Sequence, residues 1–140
     1  MSQGRAIQGL GEIALRVSDL DTMQEFYERI VGLEVMRRFP DYVFFRIAAG
    51  IAGHTQVLAL FDRSARPDYQ GLDAARTTID HIAFGIALED YQSELERIRG
   101  LGVEAITKTH AWTQWRSIFV KDPEGNTVEL VCYDPSVDPE

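Results

Sequence analysis

The chain carries a single cysteine among its 140 residues, at position 132. An intrachain disulfide and a cysteine-cluster metal site are both excluded by that count. Cys132 itself lies in the apolar run VELVCY, where a thiol reads as a small buried hydrophobe. Positive charge is also scarce, since 14 Lys and Arg stand against 22 Asp and Glu for a formal net charge of -8. No basic stripe is present, which argues against nucleic acid or an anionic membrane as partner, because both require clustered cations. Long apolar runs are missing too. None approaches the ~18 residues of a membrane span, and the opening MSQGRAIQG lacks the apolar segment of a secretory signal. The expectation is a cytoplasmic protein.

What is present is enough apolar material for one domain: 45% of residues are hydrophobic and 26% charged. The most informative pattern is an internal likeness. GEIALRVSD (11–19) lies over DHIAFGIALED (80–90), which sets Glu12 in register with His81. Around each copy the same order of elements is predicted. In the first, EIALRV alternates as a strand, and Ser18-Asp19 caps a helix with Met23, Phe26, Tyr27 and Ile30 on its buried face. Gly32 stops that helix, and the strand-like runs LEVMRRF, YVFFRIA and TQVLALF follow. In the second copy HIAFGI is the strand and LEDYQSELERIRG the helix, with Leu88, Tyr91, Leu95 and Ile98 inward. VEAITK, WRSIFVK and NTVELVCY complete it, the last two joined by the turn Asp122-Pro123-Glu124-Gly125. Residues 1–140 thus read as a single α+β domain of two βαβββ modules, about 9–62 and 78–133. The polar stretch 62–78 is a linker or a flap over a site, and the tail from Asp134 is expected to fray.

Alternate residues of a strand face opposite ways, so parity sorts the side chains. Ile13, Leu15 and Val17, like Ile82, Phe84 and Ile86, belong to the faces that bury the helices. The opposite faces carry Glu12, Ala14 and Arg16 in one copy and His81, Ala83 and Gly85 in the other: small residues around a polar group, a pocket composition. On the last strand Glu129 falls on the His81 side. Inside apolar VELV a carboxylate needs a partner, and a metal ion is one candidate.

With these runs in place, the chain resembles the vicinal oxygen chelate superfamily, the glyoxalase, bleomycin resistance protein and extradiol dioxygenase group. The resemblance spans about residues 9–133 and rests on IALRVSDLDTMQEFYERIVGLEV, on IDHIAFGI and on DPEGNTVELV. It implies paired βαβββ modules forming a cup-shaped mixed sheet around a divalent metal, often in a homodimer. Carried over position by position, it implies Glu12, His81 and Glu129 as metal ligands. A fourth ligand place falls on Ala59, which cannot ligate. One imidazole and two carboxylates make a hard donor set suited to Fe, Mn, Ni or Mg.

HAWTQWRSIFVKDPEGNTVE (110–129) further resembles the extradiol dioxygenase signature, with His110, Ile118, Asp122, Pro123, Gly125 and Glu129 in step. Phe119 departs from it, standing where that signature has a tyrosine, and Lys108 departs as well. The functional expectation is a metal-dependent enzyme that binds a small substrate through two neighbouring oxygens, leaning to an extradiol-type dioxygenase. A lactoylglutathione-lyase-like lyase or isomerase is the alternative. A metal-free, ligand-sequestering binding protein of the bleomycin-resistance kind is the third reading. His110 and Glu12 are the candidate acid-base groups. Arg16, Trp112, Trp115, Arg116 and Phe119 are candidates for the substrate pocket, with Tyr42 and Phe44 as further walls for an aromatic ligand and Arg46 or Arg116 to meet a ligand carboxylate. His54 reads as a loop residue.

Overall fold

In a computed structural model that describes residues 6–69 and 78–139, EIALRV forms strand β1 (Glu12–Val17), as its alternation predicts. Asp19 then caps helix α1 (Leu20–Glu25), its carboxylate accepting from the Thr22 amide at 3.1 Å. The helix widens into a π-helical segment, Phe26–Val31, which simple 3.6-residue periodicity does not foresee. The wider turn lets two adjacent pairs, Phe26 with Tyr27 and Ile30 with Val31, all reach the core. Gly32, at φ 95°, takes the left-handed conformation that ends it.

Strands β2 (Glu34–Arg38), β3 (Tyr42–Ala49) and β4 (Thr55–Asp62) complete the first unit. They form a sheet of order β1-β4-β3-β2 in which β1 and β4 run parallel and the other pairs antiparallel. Leu15, Val17, Val43, Phe45, Leu58 and Leu60 line the helix side of that sheet, and Met23 and Tyr27 meet them from the helix. Tyr27 and Phe45, both fully buried, sit with ring centroids 6.2 Å apart.

The second unit repeats the order with β5 (His81–Gly85), α2 (Tyr91–Gly100), β6 (Ile106–His110), β7 (Trp115–Lys121) and β8 (Thr127–Tyr133). Its sheet runs β5-β8-β7-β6, with β5 parallel to β8. Tyr91, Leu95 and Ile98 are buried as expected. Leu88 is not: it belongs to a 3-10 turn (Leu88–Asp90) that precedes α2, so it leaves the helical register and stays 37% exposed. The 122–125 turn is organised by the Asp122 carboxylate, which accepts from the Glu124 and Asn126 amides at 2.9 Å each, while Gly125 takes φ 88°.

The chain divides into two compact units, Met1–Leu72 and Asp73–Glu140. Of the 62–78 stretch expected as linker or flap, Arg63–Ala65 form a 3-10 turn capped by Asp62, and residues 70–77 lie outside the described part. The tail corrects a second expectation. Rather than fraying at Asp134, it is tied down: the Asp134 amide donates to the Gln114 carbonyl at 2.8 Å, and the Gln114 side-chain amide donates to the Val137 carbonyl at 2.8 Å. Among the described residues no helix is long and apolar enough to cross a membrane.

Among the carboxylates that hold turns by accepting local hydrogen bonds, Asp19, Asp62 and Asp134 sit below the ordinary carboxylate range. The Thr22 backbone lowers Asp19, the Ser64 hydroxyl lowers Asp62, and the Ser136 hydroxyl lowers Asp134. A group depressed on folding contributes stability that is present above its unfolded value and is lost as pH falls through its native one. The urea midpoint is therefore expected to drop between about pH 5 and pH 3, with the loss reduced in Asp62→Asn. A midpoint that stays level across that interval would remove these caps from the stability of the fold. For the core, Phe45→Ala is expected to cost about 3–5 kcal/mol by denaturant titration, and a loss below about 1 kcal/mol would contradict its packing.

Candidate functional site

Strand register decides which polar side chains meet on the sheet face turned away from α2. Across β5 and β8, Ala83 pairs with Glu129 and His81 with Thr127. Across β7 and β8, Phe119 pairs with Glu129 and Ser117 with Val131, and across β6 and β7, Lys108 pairs with Ser117 and His110 with Trp115. Parity then delivers His81, Glu129, Ser117, Phe119 and His110 to one face.

Glu129 is the centre of this cluster and is only 5% exposed. One of its oxygens, Oε1, lies 3.2 Å from His81 Nε2. The other, Oε2, accepts from the Ser117 hydroxyl, which is itself fully buried. His110 Nε2 stands 3.1 Å from Ser117 Oγ and 3.9 Å from Glu129 Oε2. The Phe119 ring meets both imidazoles edge to face, at 6.4 Å from each. Behind His81, Nδ1 lies 2.7 Å from Asp80 Oδ1. A carboxylate accepts only, so the His81 Nδ1–H donates to Asp80. Nε2 then faces Glu129 with a lone pair opposite a carboxylate oxygen, an arrangement that calls for a proton or a cation between them.

Other expected site residues are placed differently. Trp112 projects from the 111–114 turn and is 85% exposed, while Trp115 is half-exposed on the Ser117 side. Arg116 belongs to the opposite face, a correction to its expected pocket role: its guanidinium lies 4.5 Å over the Tyr91 ring of α2 and 3.7 Å from Asp134. Parity alone separates it from Ser117. In the first unit Glu12 heads β1, exposed and paired with Val57, and Arg16 stacks 3.8 Å over Tyr69. Ala14, Ala59 and Phe44 form one row, in the register that Ala83, Glu129 and Phe119 hold in the second unit. Ala59 is thus the counterpart of Glu129, Tyr42 that of Ser117 and Glu12 that of His81. Tyr42 stacks with Phe39 and Phe61 at 4.4 and 5.2 Å, so the first unit offers rings where the second offers acid-base groups. Arg46 and His54 are exposed, His54 just ahead of β4.

Sequence reasoning missed Asp80 and Ser117. Both signals were present: Asp80 directly precedes a candidate ligand, and Ser117 is a small polar residue two positions before Phe119 inside an apolar strand. Among the described residues no group of three or more His, Cys, Asp or Glu is assembled that could hold a metal ion, and the second unit brings together the pair His81 and Glu129.

A sequence model of the Glyoxalase/Bleomycin resistance protein/Dioxygenase superfamily matches residues 9–130. The chain belongs to this superfamily. Its curated relatives include a lactoylglutathione lyase of Arabidopsis thaliana, 27% identical over 133 residues that cover 91% of this chain and 45% of that protein. The chain therefore spans less than half of that relative's length. A probable lactoylglutathione lyase of Synechocystis sp. is 26% identical over 123 residues, covering 84% of this chain and 89% of that one. Among solved structures, a mutant of the fosfomycin resistance protein FosX from Listeria monocytogenes, complexed with Mn(II) and 1S,2S-dihydroxypropylphosphonic acid, is 28% identical with a TM-score of 0.65. That match covers 93% of this chain and 94% of FosX. An integron cassette protein from Halifax Harbour sewage outfall reaches a TM-score of 0.69 at 20% identity over 90% of this chain and 99% of that one, a likeness of fold. Two four-stranded mixed sheets, each with its helix, are the glyoxalase-type architecture of this superfamily member.

Cys132 lies opposite Arg116 on the helix side of β8, 3% exposed, and burial pushes its thiol up. At about pH 8 the native superfamily member is expected to resist Ellman's reagent and to react with one equivalent once unfolded. Rapid labelling of native protein would mean that β8 is not packed as described.

Proposed function

We propose that this protein is a divalent-metal-dependent enzyme acting on a small substrate held through two neighbouring oxygens, with His81 and Glu129 as metal ligands. The observation that carries this reading is the buried Glu129 carboxylate facing His81 Nε2 at 3.2 Å with Asp80 behind the imidazole. Adjacent donors on an octahedral ion with bonds of about 2.1 Å lie about 3.0 Å apart, so the spacing of this pair fits Mg²⁺, Mn²⁺, Fe²⁺ or Ni²⁺. A carboxylate bonded to the far nitrogen of a histidine is the usual support for a metal ligand.

A divalent ion in such a set supplies a Lewis acid that stabilises negative charge on substrate oxygens. The chain's own residues do the rest. Asp80 orients the His81 ring, and Ser117 occupies Glu129 Oε2 and so leaves Oε1 to the His81 side. Phe119 gives the cluster a hydrocarbon floor between two imidazoles, and His110, a quarter exposed, moves the proton. Lyase or isomerase chemistry is favoured over ring cleavage. Two curated relatives are named lactoylglutathione lyases, and Phe119 has no hydroxyl to offer an oxygen intermediate. The extradiol reading keeps one support, the spacing from His110 to Glu129. A cytoplasmic homodimer without nucleic-acid or membrane partners belongs to the same proposal.

Untagged protein is expected to retain about one equivalent of Mn, Fe, Ni or Mg. His81→Ala and Glu129→Ala should abolish that binding. Asp80→Asn should lower metal affinity about 10–100-fold. Turnover of the methylglyoxal–glutathione hemithioacetal, set against oxygen uptake with catechols, separates the two chemistries. Failure to bind any of these ions, with tight binding of an aromatic compound retained, would instead favour a ligand-sequestering protein.

A further inference from the structure

We infer that Ser117 is a positioning residue that fixes His110 as its Nε2–H form and makes Nδ1 the atom through which His110 exchanges protons. Ser117 Oγ carries one proton and two lone pairs, and Glu129 as a carboxylate only accepts. The proton of Ser117 is therefore committed to Glu129 Oε2. His110 Nε2, 3.1 Å from the same Oγ, can complete that contact only by donating. Ser117 is fully buried, so water does not compete for its lone pair. From the other face of the sheet the Tyr91 hydroxyl donates to the Ser117 carbonyl at 3.1 Å, which anchors the backbone carrying Oγ. The order of donation is thus His110 to Ser117 to Glu129, and Glu129 sets its direction.

The remaining nitrogen follows from this. Nδ1 makes no hydrogen bond among the described residues, and neutral His110 presents its lone pair there. A proton taken from a substrate arrives at Nδ1, giving an imidazolium whose Nε2–H still points along Ser117 toward the negative Glu129. The same proton leaves from Nδ1 when it is returned. The Nε2 proton stays in place, because its departure would require Ser117 Oγ to hold two protons or Glu129 to take one up.

The role of Nδ1 rests on His110 being the acid-base group of the proposed reaction, but the tautomer is readable without turnover. Long-range ¹H–¹⁵N correlation of the full chain with ¹⁵N-labelled histidine, at about pH 8–9 where imidazoles are neutral, reports it directly. It is recorded with and without Mg²⁺. Wild type should show His110 as Nε2–H in both samples. Ser117→Ala should cut the bias toward Nε2–H by about fivefold or more, the worth of one ordinary hydrogen bond, and Ser117→Thr should restore it. If the alanine variant does not fold, Glu129→Gln serves, because an amide can donate to Ser117 and free its proton for His110. An Nδ1–H tautomer in wild type, or a bias that survives loss of the hydroxyl or of the carboxylate, would overturn the inference. The expected tautomers without any turnover or metal binding would leave this hydrogen-bond order standing and sink the enzyme reading alone.

Discussion

The parallel pairing of the first and last strands in each unit is the constraint from which the site follows. A chain that leaves one strand through a helix and two antiparallel strands can return beside it only in a fixed register, since a slip of one residue would turn every buried side chain outward. In the second unit that register sets Ala83 opposite Glu129 and places His81 one row away on the same face. The small side chain of Ala83 leaves room above it.

Burying Glu129 is the costly step. An unpaired carboxylate removed from water is destabilised by several kcal/mol, and charge-assisted hydrogen bonds recover part of this. Ser117 supplies one such bond to Oε2, and Oε1 faces His81 Nε2, where a proton or a cation completes the contact. Each partner is held in turn: His81 by Asp80, and the Ser117 backbone by Tyr91 through the sheet. Precision at one carboxylate thus depends on both faces of β7, with Arg116 stacked on Tyr91 beneath the serine.

The two units use one backbone plan for different surfaces. Where the second has Glu129, Ser117 and His81, the first has Ala59, Tyr42 and Glu12 in the same register. Stacked Phe39, Tyr42 and Phe61 replace a hydrogen-bonded chain with apolar area. Duplication preserves what the backbone requires, the alternation and the turns. It leaves the outward residues free to diverge, since they carry little of the packing energy.

Much of this was legible in the residues alone. Alternation in EIALRV and HIAFGI, the Asp19 cap and the Asp122–Gly125 turn gave the elements and the likeness of the halves, because local geometry and burial of one face dictate them. The pairing of a candidate histidine with a candidate glutamate was also readable, through parity. The π-helical turn at Phe26–Val31 and the docked tail beyond Asp134 were not, since each depends on distant packing or on partners such as Gln114. Strand parity, by contrast, already separates Arg116 on the helix face from Ser117 beside Glu129. The sequence by itself determined the repeat, the strand faces and the residue types able to carry chemistry. Only the tertiary structure decided which of them touch, because hydrogen-bond direction and donor spacing are set by cross-strand register, a relation between residues far apart in the chain.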